Sequence, residues 1–305
     1  MTDHSTTDHA VIAHYAPHTG NTARAANNAT WEDDPLCAAL RDAAQALCSR
    51  KELDMDALPP TALSSLDELH TGGAKSTLAL LQSLTPDAAM SVLDIGSGLG
   101  GPARLAAQEY GCTVRGLDLT PSFCLAARML SHMTKMDNLT EFDCGDALEM
   151  PYEDASFDMA MTIHTAMNIA DKQRLYKESA RVLKRGALFG IFDVMAPSDT
   201  AKDAPAPLHF PVPWAAHSGI SHLAPVPQIR AWLEESGFVI ESITDKTAMG
   251  LDALKHSLIH MDKVPESAIG PRLIMGEDYR LRRENFVKNI EEKRCGVWQI
   301  IARKL

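Results

Sequence analysis

The sequence predicts an α/β protein built on a mostly parallel sheet of seven strands, covered by helices on both faces. Three observations predict it. Short apolar runs alternate with amphipathic helical stretches from Ser91 to Val194. The first run ends in a glycine cluster just ahead of a helix. Two further strand-like runs close the chain without an ordinary crossover between them, which predicts an antiparallel C-terminal edge.

The elements follow in order. The first 34 residues after Met1 are polar, with Val11, Ile12, Tyr15 and Trp31 as the exceptions, and read as a loose arm or a short helix. From Pro35 the pattern is helical: Leu36, Leu40, Ala43 and Leu47 share one face, and Pro59 and Pro60 interrupt it. A second helical stretch ends with Leu78, Leu81 and Leu84 before Pro86. SVLDI (91–95) is the first buried strand, and Gly101 to Tyr110 the helix after it. TVRGLDL (113–119) is the second strand. Thr120 and Pro121 supply an N-cap and a first-turn proline to a helix whose apolar face carries Ala126, Met129, Leu130 and Met133. LTEFD (139–143) and FDMAMTI (157–163) are strands three and four. A helix over 171–184 buries Leu175, Ser179, Val182 and Leu183, and Lys184, Arg185 and Gly186 predict its stop. GALFGIFDV (186–194) is nearly all apolar, as a strand covered on both faces must be.

After Val194 the rhythm breaks. Residues 204–229 hold six prolines and three histidines but no Asp, Glu, Lys or Arg, which predicts an ordered irregular loop. A helix from Gln228 to Ser236 is stopped by Gly237, and FVIESIT (238–244) is a strand. About fifty mostly helical residues then lead to the last strand, GVWQIIARK (296–304).

Composition excludes several function classes. With 45% hydrophobic residues in 305, the chain is long and apolar enough for a packed core. A net charge of −11 repels phosphate backbones and anionic lipid, so neither nucleic acid nor membrane is expected as a partner. No apolar run reaches the ~18 residues of a membrane span, and the N-terminus lacks the basic start and apolar core of a secretory signal. The six cysteines form no CxxC pair, so the expectation is a cytoplasmic protein with reduced thiols. A homo-oligomer is left open.

The strongest chemical signal is VLDIGSGLGGPARLA (92–106). The strand runs through Asp94, and Gly96, Gly98 and Gly101 follow in GxGxxG spacing before a helix. Such glycines let the backbone turn sharply and approach a ligand at a positive helix terminus. Taken alone, the motif is open between a dinucleotide and another adenosine-bearing ligand. Asp118, ending the second strand, suits ribose hydroxyls in either case. Past strand three stands Asp146, and Pro151, Asp154, Ser156, Phe157 and Asp158 lead into strand four.

Together these segments resemble the class I, Rossmann-like S-adenosylmethionine-dependent methyltransferases, over 91–195 and more weakly over 68–73 and 205–304. The resemblance implies S-adenosyl-L-methionine as cofactor, S-adenosyl-L-homocysteine as product and no metal. It implies that Gly96 and Gly98 face the methionine part and that Asp94 holds its amino group. Asp118, with Leu119 beside it, would bind ribose, and Asp146 the adenine amino group, with Ala147 packing on the ring. His164, after strand four, would sit beside the methionine and the acceptor. ELHTGG (68–73), with His70, is similar to the segment that closes over the cofactor in small-molecule members. On this reading a helical arm occupies 1–60, the methyltransferase domain 61–305, and segments 204–229 and 244–294 cover the acceptor, the latter as a helical lid.

A hydride-transfer enzyme of the short-chain kind needs Tyr-x-x-x-Lys, and each of the five tyrosines lacks Lys four residues on. A nicotinamide-linked oxidoreductase is therefore the second reading, and a non-catalytic cofactor sensor a third. For the acceptor, His164 is a candidate base, since an imidazole titrates near neutrality, or else it only packs on the cofactor. His209, Trp214, His217 and His222 in the proline-rich loop are candidate acceptor contacts, with Trp214 either facing a cation or anchoring the loop. The PVPW segment (211–214) is similar to one in bacterial sarcosine and dimethylglycine methyltransferases. A small nitrogen nucleophile is thus expected, and a small thiol or other sulfur acceptor is the alternative. His256 and His260 stand at i, i+4 but lack the Glu of a zincin, so no metal site is expected there. His4, His9, His14 and His18 in the arm read as solvated, and Arg280, Arg282 and Arg283 as a solvated helix face, with carboxylate binding the lesser reading.

Overall fold

The computed structural model describes residues 27, 29–55, 58–197, 206–261 and 272–305. The arm histidines at 4, 9, 14 and 18 lie outside the described residues, as do the start of the proline-rich loop and the middle of the 244–294 segment.

Seven strands form one sheet: β1 (Ser91–Ile95), β2 (Thr113–Asp118), β3 (Thr140–Cys144), β4 (Phe157–Ile163), β5 (Leu183–Met195), β6 (Phe238–Asp245) and β7 (Gly296–Lys304). Their order is β3-β2-β1-β4-β5-β7-β6. The first five pair parallel, and β7 runs antiparallel to both β5 and β6. The antiparallel strand therefore lies one in from the edge, with β6 outermost. Ten helices are described: α1 (Pro35–Lys51), α2 (Ser64–Asp67), α3 (Ala74–Leu84), α4 (Gly101–Tyr110), α5 (Pro121–Met133), α6 (Lys172–Val182), α7 (Val226–Glu235), α8 (Thr247–Met261), α9 (Arg272–Met275) and α10 (Tyr279–Glu291). No helix among the described residues is long and apolar enough to cross a membrane.

Strand residues alternate between two buried faces. Val92, Met159, Met161, Phe192 and Val194 join one core with Leu80, Leu81 and Leu84 of α3. Leu93, Ile95, Ala160, Phe189 and Ile191 join the other with Leu175 and Tyr176 of α6. Burial on both sides is why these strands read as continuous apolar runs rather than alternating ones. Each fully buried Leu, Ile or Phe contributes ~1.5–3 kcal/mol by leaving water. A third cluster packs Leu40, Ala43 and Ala44 of α1 onto Met129 and Leu130 of α5.

One boundary differs from the sequence expectation. Helix α6 ends at Val182, and β5 begins at Leu183 rather than Gly186. The register explains this: Phe157 pairs with Leu183 and Met159 with Leu188, so 184–187 bulge opposite Asp158. Gly186 supplies the positive φ, 83°, that the bulge requires, and Lys184 Nζ donates to Asp158 Oδ1 at 2.7 Å. The basic residues serve a strand bulge, not a helix stop. At Thr120 the N-cap position is as expected, but its side chain does not cap α5; it hydrogen-bonds Asp118 instead.

Strands β1 and β4 are neighbours, yet the chain leaves them toward opposite halves of the sheet. The crevice beyond their C-terminal ends is where such sheets receive ligands.

Candidate functional site

A cleft of about 580 Å³ opens at that crevice. All nine residues expected to contact a cofactor line it: His70, Asp94, Gly96, Gly98, Asp118, Leu119, Asp146, Ala147 and His164.

Its rim is the turn after β1. The Gly96 and Ser97 N–H groups both donate to Leu117 O, at 2.7 and 3.1 Å, which folds the turn back over β2. Gly96 has φ 77°, and a Cβ there would stand 2.2 Å from the Thr165 side chain, so no other residue fits. Gly98 also has positive φ, but its missing Cβ would meet no protein atom within 4 Å; its bare backbone faces open space. Asp118 ties the rim together. Its Oδ2 accepts from Gly98 N–H and its Oδ1 from Thr120 N–H, both at 2.9 Å. Burial raises its carboxyl pKa, against those hydrogen bonds. Cys124 Sγ donates to the Asp118 carbonyl at 3.5 Å, and Cys144 Sγ to that of Leu119 at 3.7 Å, so buried thiols support this rim from below. Asp146 is exposed at the mouth and accepts from Leu148 N–H at 2.8 Å.

The floor is lined with buried ionisable groups. Asp94 is 1% exposed, and its Oδ2 has no hydrogen-bond partner. Arg104 of α4 is fully buried and donates to Asp67 Oδ2 (2.8 Å), Leu99 O (2.6 Å), Ala127 O (3.1 Å) and Ser131 Oγ (3.2 Å). Burial pushes the Asp67 carboxyl up to about 6 despite Arg104, and Asp94 up to about 7 with help from the Asp118 charge. Glu68 rises to about 8, again by burial first and then by the Asp67 charge. Thr77 Oγ1 donates to Glu68 Oε2 at 2.8 Å. Around His70 Nε2 stand three oxygens: Thr77 Oγ1 at 3.1 Å, Gly73 O at 3.2 Å and Glu68 Oε2 at 3.5 Å. This network assigns the ring proton to Nε2. Burial lowers the His70 pKa to about 4. His164, at φ 51°, stacks on Phe192 with ring centroids 5.5 Å apart and lies 5.9 Å from His70. Its Nε2 is buried without a partner, and burial holds its pKa well below the usual range. Both imidazoles are neutral at pH 7.

The opposite wall comes from the proline-rich loop and the C-terminal helices. Trp214 and His222 line the cleft, whereas His209 and His217 do not. His209 instead pairs with Glu292 at 2.8 Å, and exposed His217 accepts from Gly219 N–H at 3.2 Å. Trp214 is 4% exposed, sits edge-on to Phe286 at 4.9 Å, and donates its indole N–H to Ser221 Oγ at 2.9 Å. That geometry is the loop anchor of the two readings. Ile274 and Met275 of α9 and Arg282 of α10 complete the wall. Arg282 is therefore not on a solvated face: it is buried, donating to Asp278 Oδ1 at 2.8 Å and Val212 O at 3.0 Å. Arg283 lies over the Tyr279 ring, 4.8 Å from its centroid. On α8, His260 Nδ1 faces the His256 carbonyl at 2.9 Å, and no metal-holding cluster occurs among the described residues.

Sequence reasoning missed the residues that hold this wall. Asn168 Nδ2 donates to the Trp214 carbonyl at 2.8 Å and to that of Ile220 at 3.2 Å. Buried Lys172 donates to the Ile169 and His222 carbonyls, and buried Asp193 accepts from Met167 N–H at 3.1 Å. One signal for Asp193 was in plain view: a lone carboxylate in an otherwise apolar strand, GALFGIFDV.

Residues 93–191 match the family model described as a methyltransferase domain. Methyltransferase GfsG of Streptomyces halstedii is 29% identical over 182 residues, which cover 60% of this chain and 64% of that protein. Sarcosine/dimethylglycine N-methyltransferase of Halorhodospira halochloris is 32% identical over 130 residues, covering 43% of this chain and 46% of the relative. The chain thus spans less than two thirds of either relative's length. Among solved structures, geranyl diphosphate C-methyltransferase of Streptomyces coelicolor A3(2), in complex with Mg2+, geranyl-S-thiolodiphosphate and S-adenosyl-L-homocysteine, superposes with a TM-score of 0.63. It is 16% identical, covering 95% of this chain and 100% of that one. At that identity the likeness is one of fold.

Proposed function

We propose that this chain, which carries a methyltransferase domain over 93–191, transfers a methyl group from S-adenosylmethionine to a small-molecule acceptor, a nitrogen nucleophile by preference. The observation that carries the reading is Asp94 Oδ2, buried without a partner on a residue that lines the same cleft as the bare backbone of Gly98. A buried carboxylate oxygen without a partner is costly, and an ammonium placed there would satisfy it. Gly96 and Gly98 let the methionine chain lie against backbone; Asp118 and Leu119 suit ribose, and Asp146 and Ala147 suit adenine. His70 and His164 form the wall beside the reacting end. The domain match at 93–191 favours this reading over a nicotinamide-linked one.

When bound, the cofactor supplies an electrophilic methyl group on a sulfonium. The chain's own task is to align an acceptor in line with that methyl and exclude water. The apolar wall of Pro213, Trp214, Ile220 and Met275 suits both duties. As the new N–C bond forms, the S–C pair returns to sulfur; a primary or secondary amine must also shed a proton, whereas a tertiary amine has none to shed. His164 Nε2, buried beside His70 and without another partner, is the candidate acceptor for that proton, a weak base because burial disfavours its imidazolium. A thiol would shed its proton in the same way, so a sulfur acceptor is the second reading.

The test is methyl transfer from isotopically labelled S-adenosylmethionine to a panel of small amines, thiols and phenols, read by mass spectrometry. Label on amines is expected; label on thiols alone would select the second reading. Absence of both product and cofactor binding would remove the methyltransferase reading. His164→Ala should lower turnover by ~10²-fold or more while changing cofactor affinity little. Equal loss of both would make His164 a packing residue.

A further inference from the structure

Arg282 is the one lysine or arginine among the described residues that lines the cleft, and it is 6% exposed. The helix that carries it, α10, is riveted to the proline-rich loop. Asn285 Nδ2 donates to the Pro211 carbonyl at 2.9 Å, and Asn289 Nδ2 to that of His209 at 3.0 Å. Arg282 Nη1 donates to the Val212 carbonyl at 3.0 Å, and Phe286, one turn further on, meets the Trp214 ring at 4.9 Å. Val212 leads directly into Pro213 and Trp214, both of which line the cleft. The guanidinium thus lies at the wall that the proline-rich loop builds.

A rivet needs less than a guanidinium. The two asparagines hold the same loop through neutral amides, whereas a buried cation costs more unless its charge is met. Of the five N–H groups of Arg282, that on Nε goes to Asp278 Oδ1 at 2.8 Å and one on Nη1 to Val212. Nη2 has no hydrogen-bond partner among the described residues and is not sealed in protein. The carboxylate partner, Asp278, has a side chain 42% exposed, so water screens that pair. Asp94, Asp118 and Asp146 line the side of the cleft assigned above to the cofactor, and the guanidinium lines the other.

Resting on the methyltransferase reading, we propose that the acceptor carries an anionic group, a carboxylate or a phosphate, and that Arg282 Nη2 binds it. The planar fork of a guanidinium matches the oxygens of either anion, which an asparagine amide does not. The nucleophilic nitrogen and the anion then belong to one small molecule held at two points, which fixes its line of approach to the methyl group. The competing anion is the methionine carboxylate of the cofactor. It is borne by the same carbon as the ammonium assigned to Asp94, and so belongs to that side of the cleft.

The experiment is titration, followed by saturation-transfer NMR, of the chain loaded with S-adenosylhomocysteine. The probes are matched pairs: 3-aminopropanoate against 3-aminopropanamide, and 2-aminoethyl phosphate against 2-aminoethanol. In one pair the anionic member should bind about tenfold or more tightly than its neutral mate, and that pair identifies carboxylate or phosphate. Arg282→Gln, which keeps a donor for the Val212 carbonyl, should bring the two members to within about twofold. Arg282→Lys, which keeps the charge and loses the fork, should fall between. Asn285→Ala loosens the same rivet without removing a cleft residue, and should leave the ratio at its wild-type value. Wild type that holds neither anion, or holds anionic and neutral members equally, would overturn the proposal, as would a preference that survives Arg282→Gln. A matching loss of S-adenosylhomocysteine affinity in Arg282→Gln would also overturn it, by giving the guanidinium to the cofactor's carboxylate. Wild type that fails to bind S-adenosylhomocysteine would bring down the cofactor reading itself, a failure distinct from all of these.

Discussion

An Arg104→Ala chain should unfold at a much lower urea concentration than wild type, having lost ~3–5 kcal/mol of stability. The guanidinium is wholly buried and ties its own helix to three other segments at once: Asp67 of α2, the Leu99 carbonyl of the glycine turn, and Ala127 and Ser131 of α5. Its removal leaves Asp67 ionisable and unpaired at 2% side-chain exposure, and strands buried carbonyls besides. The size of the loss comes from the orphaned partners rather than from the attraction of the pair. A double variant, Arg104→Met with Asp67→Leu, should accordingly recover most of the stability, because replacing both members of a buried pair removes the desolvation cost as well. Exposed Lys255 and Glu291, 2.7 Å apart on α8 and α10, form the contrast: breaking that pair should cost less than ~1 kcal/mol. A loss below 1 kcal/mol at Arg104, read from the urea midpoint and slope, would mean that water reaches this floor.

Arg104 also marks how far the sequence could be read. In GPARLAAQEY it is a basic residue in a short amphipathic helix, which ordinarily means solvent. Its burial depends on Asp67, 37 positions away, in a segment with no periodic signal. The strands were legible because burial on two faces writes a continuous apolar run, and the glycine turn because positive φ restricts residue choice. Asp94, Asp118 and Asp146 were legible as ends of those strands. The opposite wall of the cleft was not. Its contacts are side chain to carbonyl, as with Asn168 on Trp214 and Ile220, and a carbonyl carries no residue identity. The same reason explains His209 and His217. Composition set them in the right loop, but the path of an irregular backbone decided which histidines reach the cleft. The bulge at 184–187 was hidden likewise, since Lys-Arg-Gly satisfies a helix stop as well as a strand kink.

The second large effect belongs to Asp118. Asp118→Ala should weaken binding of S-adenosylhomocysteine by ~1–3 kcal/mol, a roughly 5- to 150-fold rise in Kd, because ribose hydroxyls would lose a charged acceptor inside the cleft. The carboxylate has a structural duty too, accepting from Gly98 and Thr120 N–H at 2.9 Å each. Part of any loss would therefore come from a loosened glycine turn, and one variant cannot separate the two causes. Asp118→Asn helps to do so. Its carbonyl oxygen can keep one of the two backbone donors while its amide turns a donor toward the other, so the turn is half held and the charge is gone. If the charge on ribose matters most, Asn and Ala should weaken the ligand alike while Asn unfolds later than Ala in urea. If the turn matters most, affinity should track stability across the pair. Ligand affinity unchanged in both variants would remove Asp118 from the site, and would leave Asp94 and the bare backbone of Gly98 as the groups on which cofactor recognition must then rest.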